Sequence, residues 1–246
     1  SLSDKVPLDF SKDLFPRLLA AHRPLYGYTA EGFWCDIGDL DAFRHAQYDI
    51  LGGKTNIPIE GCRLEKGIYA EEGAVIERGA HISPPVFLGK NAHIKSGAHI
   101  SPPVFLGKNV HIKSGAHVEA FSSIGDGCVI ETGASVKRSI LFSGVSVEKN
   151  AQIRGSILCA RSHLEEGACL FEQSVIGEGS RVGRGAVVRP GVRVWPGKAV
   201  EEGEILSESL VWGHAAMPDL FTERGLSGHI GTDLTPSSAA RLGGAL

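Results

Sequence analysis

The sequence lacks paired cysteines. It contains five cysteines in 246 residues, an odd number, and none stands in a C-x-x-C pair. This usage argues against a disulfide framework and a zinc ribbon, and it is typical of a reducing compartment. We therefore expect a cytoplasmic protein.

Long apolar runs and an excess of one charge are also absent. No stretch reaches the roughly 18 apolar residues that a membrane helix needs, and we expect no signal peptide. The net charge is −3, and no long basic stripe occurs. We therefore expect neither a membrane nor a nucleic acid as a partner.

Glycine, by contrast, is abundant. The chain has 32 glycines, well above the usual share of about 7 %, and they follow no collagen period. Glycine is the default residue where the backbone needs a positive φ. Many such positions are therefore predicted.

The chain repeats in units of six, from Leu64 to Leu141 and again from Leu164 to Ile205. The first position of a unit is nearly always Leu, Ile or Val, the fourth is usually Gly or Asn, and the fifth is usually small or β-branched. Positions one and five share one face of a short strand. Glycine or asparagine at position four tolerates the left-handed conformation of a corner. This pattern predicts a β-helix.

One coil is present twice. Residues His81–Ala98 recur at His99–Ala116 with a single difference, Ala92 against Val110. Eighteen residues are three units, so the copy adds one whole coil, whereas seventeen would be expected to turn the interior outwards. We expect the copy to lengthen a scaffold and to add no chemistry. The residues predicted to face inwards are Ile100, Val104, Leu106, Val110 and Ile112.

Two features depart from the regular pattern. Ser-Pro-Pro replaces the usual corner at Pro84-Pro85 and Pro102-Pro103, and these corners are predicted to stack on one edge. The stretch Ser139–Gly167 drops one residue from the frame twice. It is predicted to form loops or a bulged corner.

The residues before the repeats predict two helices and a hairpin. Asp13 is a candidate N-cap of a helix with Pro16 in its first turn. The stretch LYGYTAEGFW predicts a hairpin that turns at Glu31 and Gly32. Asp39 is the candidate cap of a second helix. That helix would have Leu40, Phe43, Gln47 and Ile50 at helical spacing.

The motifs DFSKDLFP, LYGY and GFWCDIGDLDAF, followed by hexapeptide repeats, resemble the end of a sugar-1-phosphate nucleotidyltransferase domain. The closest resemblance is to mannose-1-phosphate guanylyltransferases and related NDP-sugar pyrophosphorylases. It implies a mainly β fold, a left-handed parallel β-helix flanked by short α/β segments. The domains implied are residues 1–56, the end of the transferase domain, residues 57–206, the β-helix, and residues 207–246.

The last of these segments resembles the opening of a phosphohexomutase domain, of the phosphomannomutase-like kind. The motif Leu234-Thr235-Pro236 and the residues Ala239–Leu246 carry this resemblance. Thr235 is predicted to cap a helix that begins at Pro236.

The transferase resemblance implies a metal ligand. In that family the aspartate of W-x-D-I-G helps to hold the Mg²⁺ that bridges the nucleotide and sugar phosphates, and Asp36 matches it. The implied substrates are an NTP and a sugar 1-phosphate. The family's glycine-rich loop, G-x-G-T-R-L-x-P, does not occur in these residues. We therefore expect an internal segment, inactive alone, that serves as a scaffold and contacts other copies in a homo-oligomer.

Two alternatives stay open. One is a non-catalytic scaffold or regulatory subunit. The other is a hexapeptide acyltransferase with a histidine as general base. Five histidines occupy position six of their units and should point outwards, in two rows whose members lie about 4.8 Å from each other. Such a row could bind a metal, but we expect it to be a by-product of repeating the coil. These histidines are His81, His93, His99, His111 and His117.

Overall fold

The computed structural model describes residues 9–55 and 67–212, together with the backbone of three short strands, Cys62–Glu65, Phe221–Thr222 and Gly225–Leu226. The chain divides into two units, residues 1–34 and residues 35–246. Within the described residues, no helix has the length and apolar character needed to cross a membrane.

The first unit begins with a helical segment. Phe10–Leu14 form a π-helical turn that continues as helix α1, Phe15–Ala20. The carboxylate of Asp9 accepts hydrogen bonds from the amides of Ser11 and Lys12, each at 2.8 Å. The predicted cap, Asp13, is therefore wrong. The helical segment begins four residues earlier because Asp9 is extended and satisfies the first free amides.

The predicted hairpin is also wrong. Residues 23–38 contain no strand, and Tyr26 and Tyr28 are about nine-tenths exposed. A two-stranded hairpin is marginal without further strands or a helix to pack on. The described residues of the first unit provide no such support.

The second unit begins with the predicted second helix. Helix α2 spans Leu40–Leu51, and the carboxylate of Asp39 accepts a 2.7 Å hydrogen bond from the amide of Ala42. The cap is confirmed. Its buried residues are Arg44 and Ala46, while Leu40 and Ile50 at the predicted spacing are exposed.

Three sheets of short strands form a parallel β-helix, and among the described strands of these sheets the first pair, Cys62–Glu65 with Ile68–Ala70, is antiparallel. Face A holds β1 Cys62–Glu65, β2 Ile68–Ala70, β5 Val86–Leu88, β8 Val104–Leu106, β11 Ser122–Ile124, β14 Ile140–Leu141, β17 Ile157–Leu158, β20 Val175–Ile176 and β23 Arg193–Val194. Face B holds β3 Val75–Ile76, β6 His93–Ile94, β9 His111–Ile112, β12 Val129–Ile130, β15 Ser146–Val147, β18 His163–Leu164, β21 Arg181–Val182 and β24 Ala199–Val200. Face C holds β4 His81–Ile82, β7 His99–Ile100, β10 His117–Val118, β13 Ser135–Lys137, β16 Gln152–Arg154, β19 Cys169–Leu170, β22 Val187–Val188 and β25 Ile205–Leu206.

The interior of the β-helix is a continuous apolar column. It consists mainly of aliphatic residues from positions one and five of the units. The five residues predicted to face inwards are each at most 2 % exposed. Each such side chain contributes about 1.5–3 kcal/mol on burial. The predicted fold class, mainly β with a parallel β-helix and short flanking segments, is confirmed.

The corners follow the fourth position of the unit. Gly127 has φ +68° and Asn109 has φ +53°, as the pattern predicts. Phe121 has the same conformation at its corner, with φ +59°. The corner therefore requires a positive φ even where the residue is neither glycine nor asparagine. The two Ser-Pro-Pro corners instead contain cis peptide bonds, Pro84-Pro85 and Pro102-Pro103, in successive coils.

The duplicated coil lies in register with its copy. His99 pairs with His81, Val104 with Val86 and His111 with His93, each eighteen positions on. The pairing therefore repeats the same residue types on all three faces. A whole coil has been added without changing which residues face inwards.

The irregular stretch corrects two predictions. Ser139–Gly167 forms no loop, because its strands continue all three faces. Two successive coils contain seventeen residues, as in the pairs Ser123 with Ile140 and Ile140 with Ile157. The interior stays apolar, since Leu141 and Leu158 are at most 2 % exposed. A coil of seventeen keeps its faces when the missing residue comes from a corner and not from a strand.

The C-terminal segment is described only in part. Phe221–Thr222 (β26) and Gly225–Leu226 (β27) pair antiparallel. The helix predicted at Thr235 and Pro236 lies outside the described residues.

Candidate functional site

Asp36 lies in the extended segment immediately before helix α2. Its side chain is exposed, and three residues later Asp39 caps the helix. Within the described residues no group of three or more His, Cys, Asp or Glu side chains could hold a metal ion. Mg²⁺ needs near-octahedral oxygen ligands. Asp36 therefore supplies one carboxylate, and the described residues do not form a complete Mg²⁺ site around it.

The first row of histidines lies on face C. The ring centroids of His81 and His99 are 4.7 Å apart, and those of His99 and His117 are 4.8 Å apart. All three side chains are exposed, as predicted. Exposed side chains of this kind do not provide the enclosed pocket that an acyl-transfer base would need.

The second row lies on face B and differs from the first. The rings of His93 and His111 are tilted, with centroids 6.1 Å apart. Burial, followed by the charges of Lys113 and His93, lowers the pKa of His111. His111 therefore stays neutral to a lower pH than an ordinary histidine.

A carboxylate joins two coils at the corner after face B. Glu77 accepts hydrogen bonds from Lys95 Nζ at 2.7 Å, His93 Nε2 at 2.9 Å and the amide of Ser96 at 3.0 Å. These contacts, that of Lys95 first, lower the pKa of Glu77 to about 2. The carboxylate therefore links neighbouring coils. Its low pKa also makes it a poor general base.

The same contact recurs further along the β-helix. Glu148 binds His163 Nε2 at 2.8 Å, and Glu165 binds Arg181 Nη1 at 2.8 Å. The duplicated coil interrupts this pattern. Lys95 and Lys113 occupy the unit position that Glu77 occupies one coil earlier, so a lysine there faces another lysine and not a glutamate. The recurrence assigns these pairs to coil stacking and not to catalysis.

Two of the cysteines, Cys128 and Cys159, are poor nucleophiles. Cys128 is fully buried, and burial raises the pKa of its thiol to about 11. Burial also raises the pKa of Cys159. A thiol held protonated lacks the reactive thiolate form.

Sequence reasoning missed the contact between helix α2 and the β-helix. Arg44 Nη1 donates a 2.6 Å hydrogen bond to the carbonyl oxygen of Gly155. Tyr48 Oη donates one of 2.6 Å to the carbonyl oxygen of Arg138. Burial raises the pKa of Tyr48, which keeps its hydroxyl protonated as a donor. The sequence did contain a signal for this contact. Both accepting carbonyl groups lie at corners where the hexapeptide repeat is one residue short.

Aromatic rings extend this contact. Tyr48 lies 5.5 Å from Phe121, and Phe43 stacks on Phe142 at 6.2 Å between ring centroids. Beyond the end of the helix, a cavity of about 610 Å³ lies between residues 50–55 and face A. Its lining includes Tyr69, Phe87 and Phe105.

Comparison with known proteins identifies relatives that match parts of the chain. Residues 100–211 match the family described as GMPPB C-terminal domain, a little under half of the sequence and entirely within the second unit. A glucose-1-phosphate adenylyltransferase from Desulfitobacterium hafniense is 40 % identical over 43 residues, 18 % of this chain and 11 % of that protein. One from Halalkalibacterium halodurans is 35 % identical over 49 residues, 20 % and 13 % of the two chains. The chain thus matches little more than a tenth of the length of these curated relatives.

Solved structures with a similar arrangement were also found. A mutant of perosamine N-acetyltransferase from Caulobacter crescentus is 30 % identical, with a TM-score of 0.37, over 48 % of this chain and 49 % of that chain. The UDP-N-acetylglucosamine acyltransferase of Francisella novicida is 19 % identical, with a TM-score of 0.31, over 56 % and 64 %. At these scores neither carries a functional conclusion. The predicted resemblance to sugar nucleotidyltransferases is confirmed by the family and sequence matches.

Proposed function

We propose that this chain is part of a sugar-1-phosphate nucleotidyltransferase that makes an NDP-sugar, of the GDP-mannose kind. In the whole protein, a phosphate oxygen of the sugar 1-phosphate attacks the α-phosphorus of an NTP. The bond between the α-phosphorus and the bridging oxygen breaks, and pyrophosphate leaves. The observation that carries this proposal is the match of residues 100–211 to the GMPPB C-terminal domain, in a β-helix preceded by W-x-D-I-G.

The segment itself serves as a scaffold, under this proposal. Glu77 and Glu148 are engaged in coil stacking, and His81, His99 and His117 are exposed on the surface of the β-helix. We propose the domain division 1–56, 57–206 and 207–246, with the last segment opening a phosphomannomutase-like domain. We also propose homo-oligomer contacts through the β-helix and a cytoplasmic location. The free thiols of Cys35, Cys128, Cys159 and Cys169 support that location.

Asp36 is proposed as one carboxylate ligand of Mg²⁺ in the whole protein. Its exposed side chain is available to a ligand. Bound Mg²⁺ would supply electrostatic stabilisation of the charge on the phosphates. This chain holds that carboxylate in the extended segment that leads into the helix capped by Asp39.

The first experiment is to sequence the source DNA on both sides of this segment. An upstream open frame that encodes G-x-G-T-R-L-x-P is expected. The longer protein should then release pyrophosphate from GTP and mannose 1-phosphate, and Asp36→Asn should lower turnover by about 100-fold or more. The matched control is Asp49→Asn, whose carboxylate pairs with Lys54 at the far end of helix α2. Equal turnover in the two variants would reject Asp36 as a ligand.

Experiments on the isolated chain distinguish the proposed scaffold segment from the alternative functions. It should release no pyrophosphate from GTP with mannose 1-phosphate or from ATP with glucose 1-phosphate, and it should sediment as a homo-oligomer. Binding of acetyl-CoA in calorimetry, lost on His99→Ala, would support an acyltransferase instead. A start codon directly before Ser1 would favour the non-catalytic scaffold or regulatory subunit.

A further inference from the structure

Helix α2 runs along one edge of the β-helix and contacts three successive coils. Arg44 reaches Gly155, Tyr48 reaches Arg138 and the ring of Phe121, and Gly52 lies beside Phe121 as well. A helical turn rises about 5.4 Å and neighbouring strands lie about 4.8 Å apart. The two repeats are close enough for successive turns to meet successive coils.

The contacts fall on the two shortened corners. In a regular coil, four residues separate Val118 from the outward Ser123. In the next coil only three residues, Lys137, Arg138 and Ser139, separate the matching pair of strand residues. The following corner is again shortened, at Arg154–Ser156. Both carbonyl groups that accept hydrogen bonds from helix α2 belong to these shortened corners.

The outward row of face A changes its character beside the helix. Phe105, Ser123, Ile140 and Ile157 are successive partners in this row. Phe105 is 37 % exposed, whereas Ile140 and Ile157 are 5 % and 2 % exposed. Helix α2 contacts Arg138 and Phe142 on either side of Ile140, and it contacts Gly155 two residues before Ile157. That position accounts for the burial of apolar side chains on the outside of a β-helix.

The buried guanidinium of Arg44 makes the position of the helix specific. The side chain of Arg44 is 8 % exposed, and it also pairs with Asp41 on its own helix. A buried cation without partners is strongly unfavourable. Sliding the helix by one turn could offer Arg44 the carbonyl oxygen of Arg138, but it would take Tyr48 away from both shortened corners, so only one height along the β-helix pairs both donors.

We propose that the two shortened corners are a docking seat for helix α2. The seat would fix the segment Cys35–Asp39, which directly precedes the helix, at one height on the β-helix. The consequence for the metal ligand Asp36 rests on the proposed function; the seat itself does not. Arg44 and Tyr48 are then positioning residues.

The test restores the missing residues. One glycine is inserted after Arg138 and one after Gly155 in the full chain, and amide hydrogen exchange is measured by mass spectrometry. Exchange of the amides of residues 40–51 should accelerate by at least about 10-fold, with the strands of faces B and C unchanged as an internal reference. Unchanged protection of the helix would overturn the proposal.

A second variant covers the case in which the insertions unfold the β-helix. Arg44→Gln with Tyr48→Phe leaves every coil intact and should accelerate exchange in the helix in the same way. Tyr48→Phe alone keeps the ring beside Phe121 and should have a smaller effect. Asp39→Ala is the matched control, since it weakens the helix cap without touching the seat and should act mainly on the first turn. If the double variant affects only the first turn, as this control does, the seat is rejected.

The outcome separates the seat from the proposed function. Exchange is measured on the full chain without nucleotide or sugar phosphate, so it does not depend on transferase activity. Rejection of the seat would leave the proposed scaffold role of the β-helix unaffected. A failed transferase assay would leave the docking of the helix untouched.

Discussion

The imidazole rings of His81 and His99 stack with their centroids 4.7 Å apart. They are the first residues of the two copies of the eighteen-residue repeat. The distance is the spacing between neighbouring strands, so the two copies occupy successive coils of one β-helix. The repeat is therefore a unit that can be removed whole.

Deleting residues 99–116 should leave a folded β-helix. His117 would then follow Ala98 and stack on His81, and Lys95 would lie beside Glu131 in place of Lys113. Because each coil contacts only its neighbours, we expect the melting temperature to change by less than about 5 °C. Circular dichroism melting curves test this. Deleting only residues 99–107 removes half a coil and should cause unfolding or aggregation; a native-like melt of that variant would contradict the coil assignment.

The neighbouring residues Leu106 and Phe105 face the interior and the surface of the β-helix, respectively. Leu106 is fully buried, whereas Phe105 is 37 % exposed and stacks on Phe87 at 4.9 Å. Leu106→Ala should lower the free energy of unfolding by about 2–5 kcal/mol, because it leaves a cavity. Phe105→Ala should cost less, about 0.5–1.5 kcal/mol for the lost ring contact. Urea denaturation measures both, and a larger loss for Phe105→Ala would reverse the assignment of inside and outside.

Gly127 tests the corner conformation. It has φ +68°, and a Cβ added there would meet no atom within 4 Å. Gly127→Ala should therefore cost about 1–2 kcal/mol through backbone strain alone. Gly27→Ala is the matched control, since Gly27 also has open space but no positive φ, and should change stability by less than about 0.5 kcal/mol. Chemical denaturation checks both, and equal effects would remove the role of the corner conformation.

Glu77 predicts a loss of stability in acid. Its pKa is about 2 in the folded protein, against an ordinary value of 4.5. The folded state therefore binds fewer protons at this carboxylate, so its stabilisation is present above pH 4.5 and is lost as the pH falls through about 2. The denaturation midpoint of the wild type should fall over this range, and that of Glu77→Gln should fall less. Parallel curves for the two proteins would show that the contact with Lys95 contributes nothing.

The interior and the corners could be predicted from the sequence because they depend on local rules. An aliphatic residue such as Ile112 recurs at a period that only one face of a coil can satisfy. Asn109 marks a corner because few residues accept a positive φ. The outward direction of His99 followed from the same period. None of these inferences needed knowledge of distant contacts.

The docking of helix α2 could not be predicted in this way. Arg44 and Gly155 are 111 positions apart, and nothing near either residue specifies the other. The two residues lost from the hexapeptide frame within Ser139–Gly167 are visible in the sequence, but there they predict loops or a bulged corner. Their connection with helix α2 is visible only in the folded chain. The missing residues shorten two corners without changing the direction of the strands.

The hairpin at Glu31 failed for a related reason. Alternating residues can form a strand only where a partner supplies hydrogen bonds and an apolar surface. Likewise, Asp36 is a metal ligand only when other oxygen atoms surround the same ion. Both expectations concern groups that must come together from separate parts of a protein.

The sequence by itself determined the coil, its interior and its corners, because the hexapeptide period links each residue to neighbours one coil away. The tertiary structure decided where helix α2 lies, which carbonyl groups hold it, and that coils of seventeen keep the interior closed. The physical reason is that a repeat encodes contacts at a fixed separation along the chain. A buried arginine finds its acceptor only after the coils have stacked.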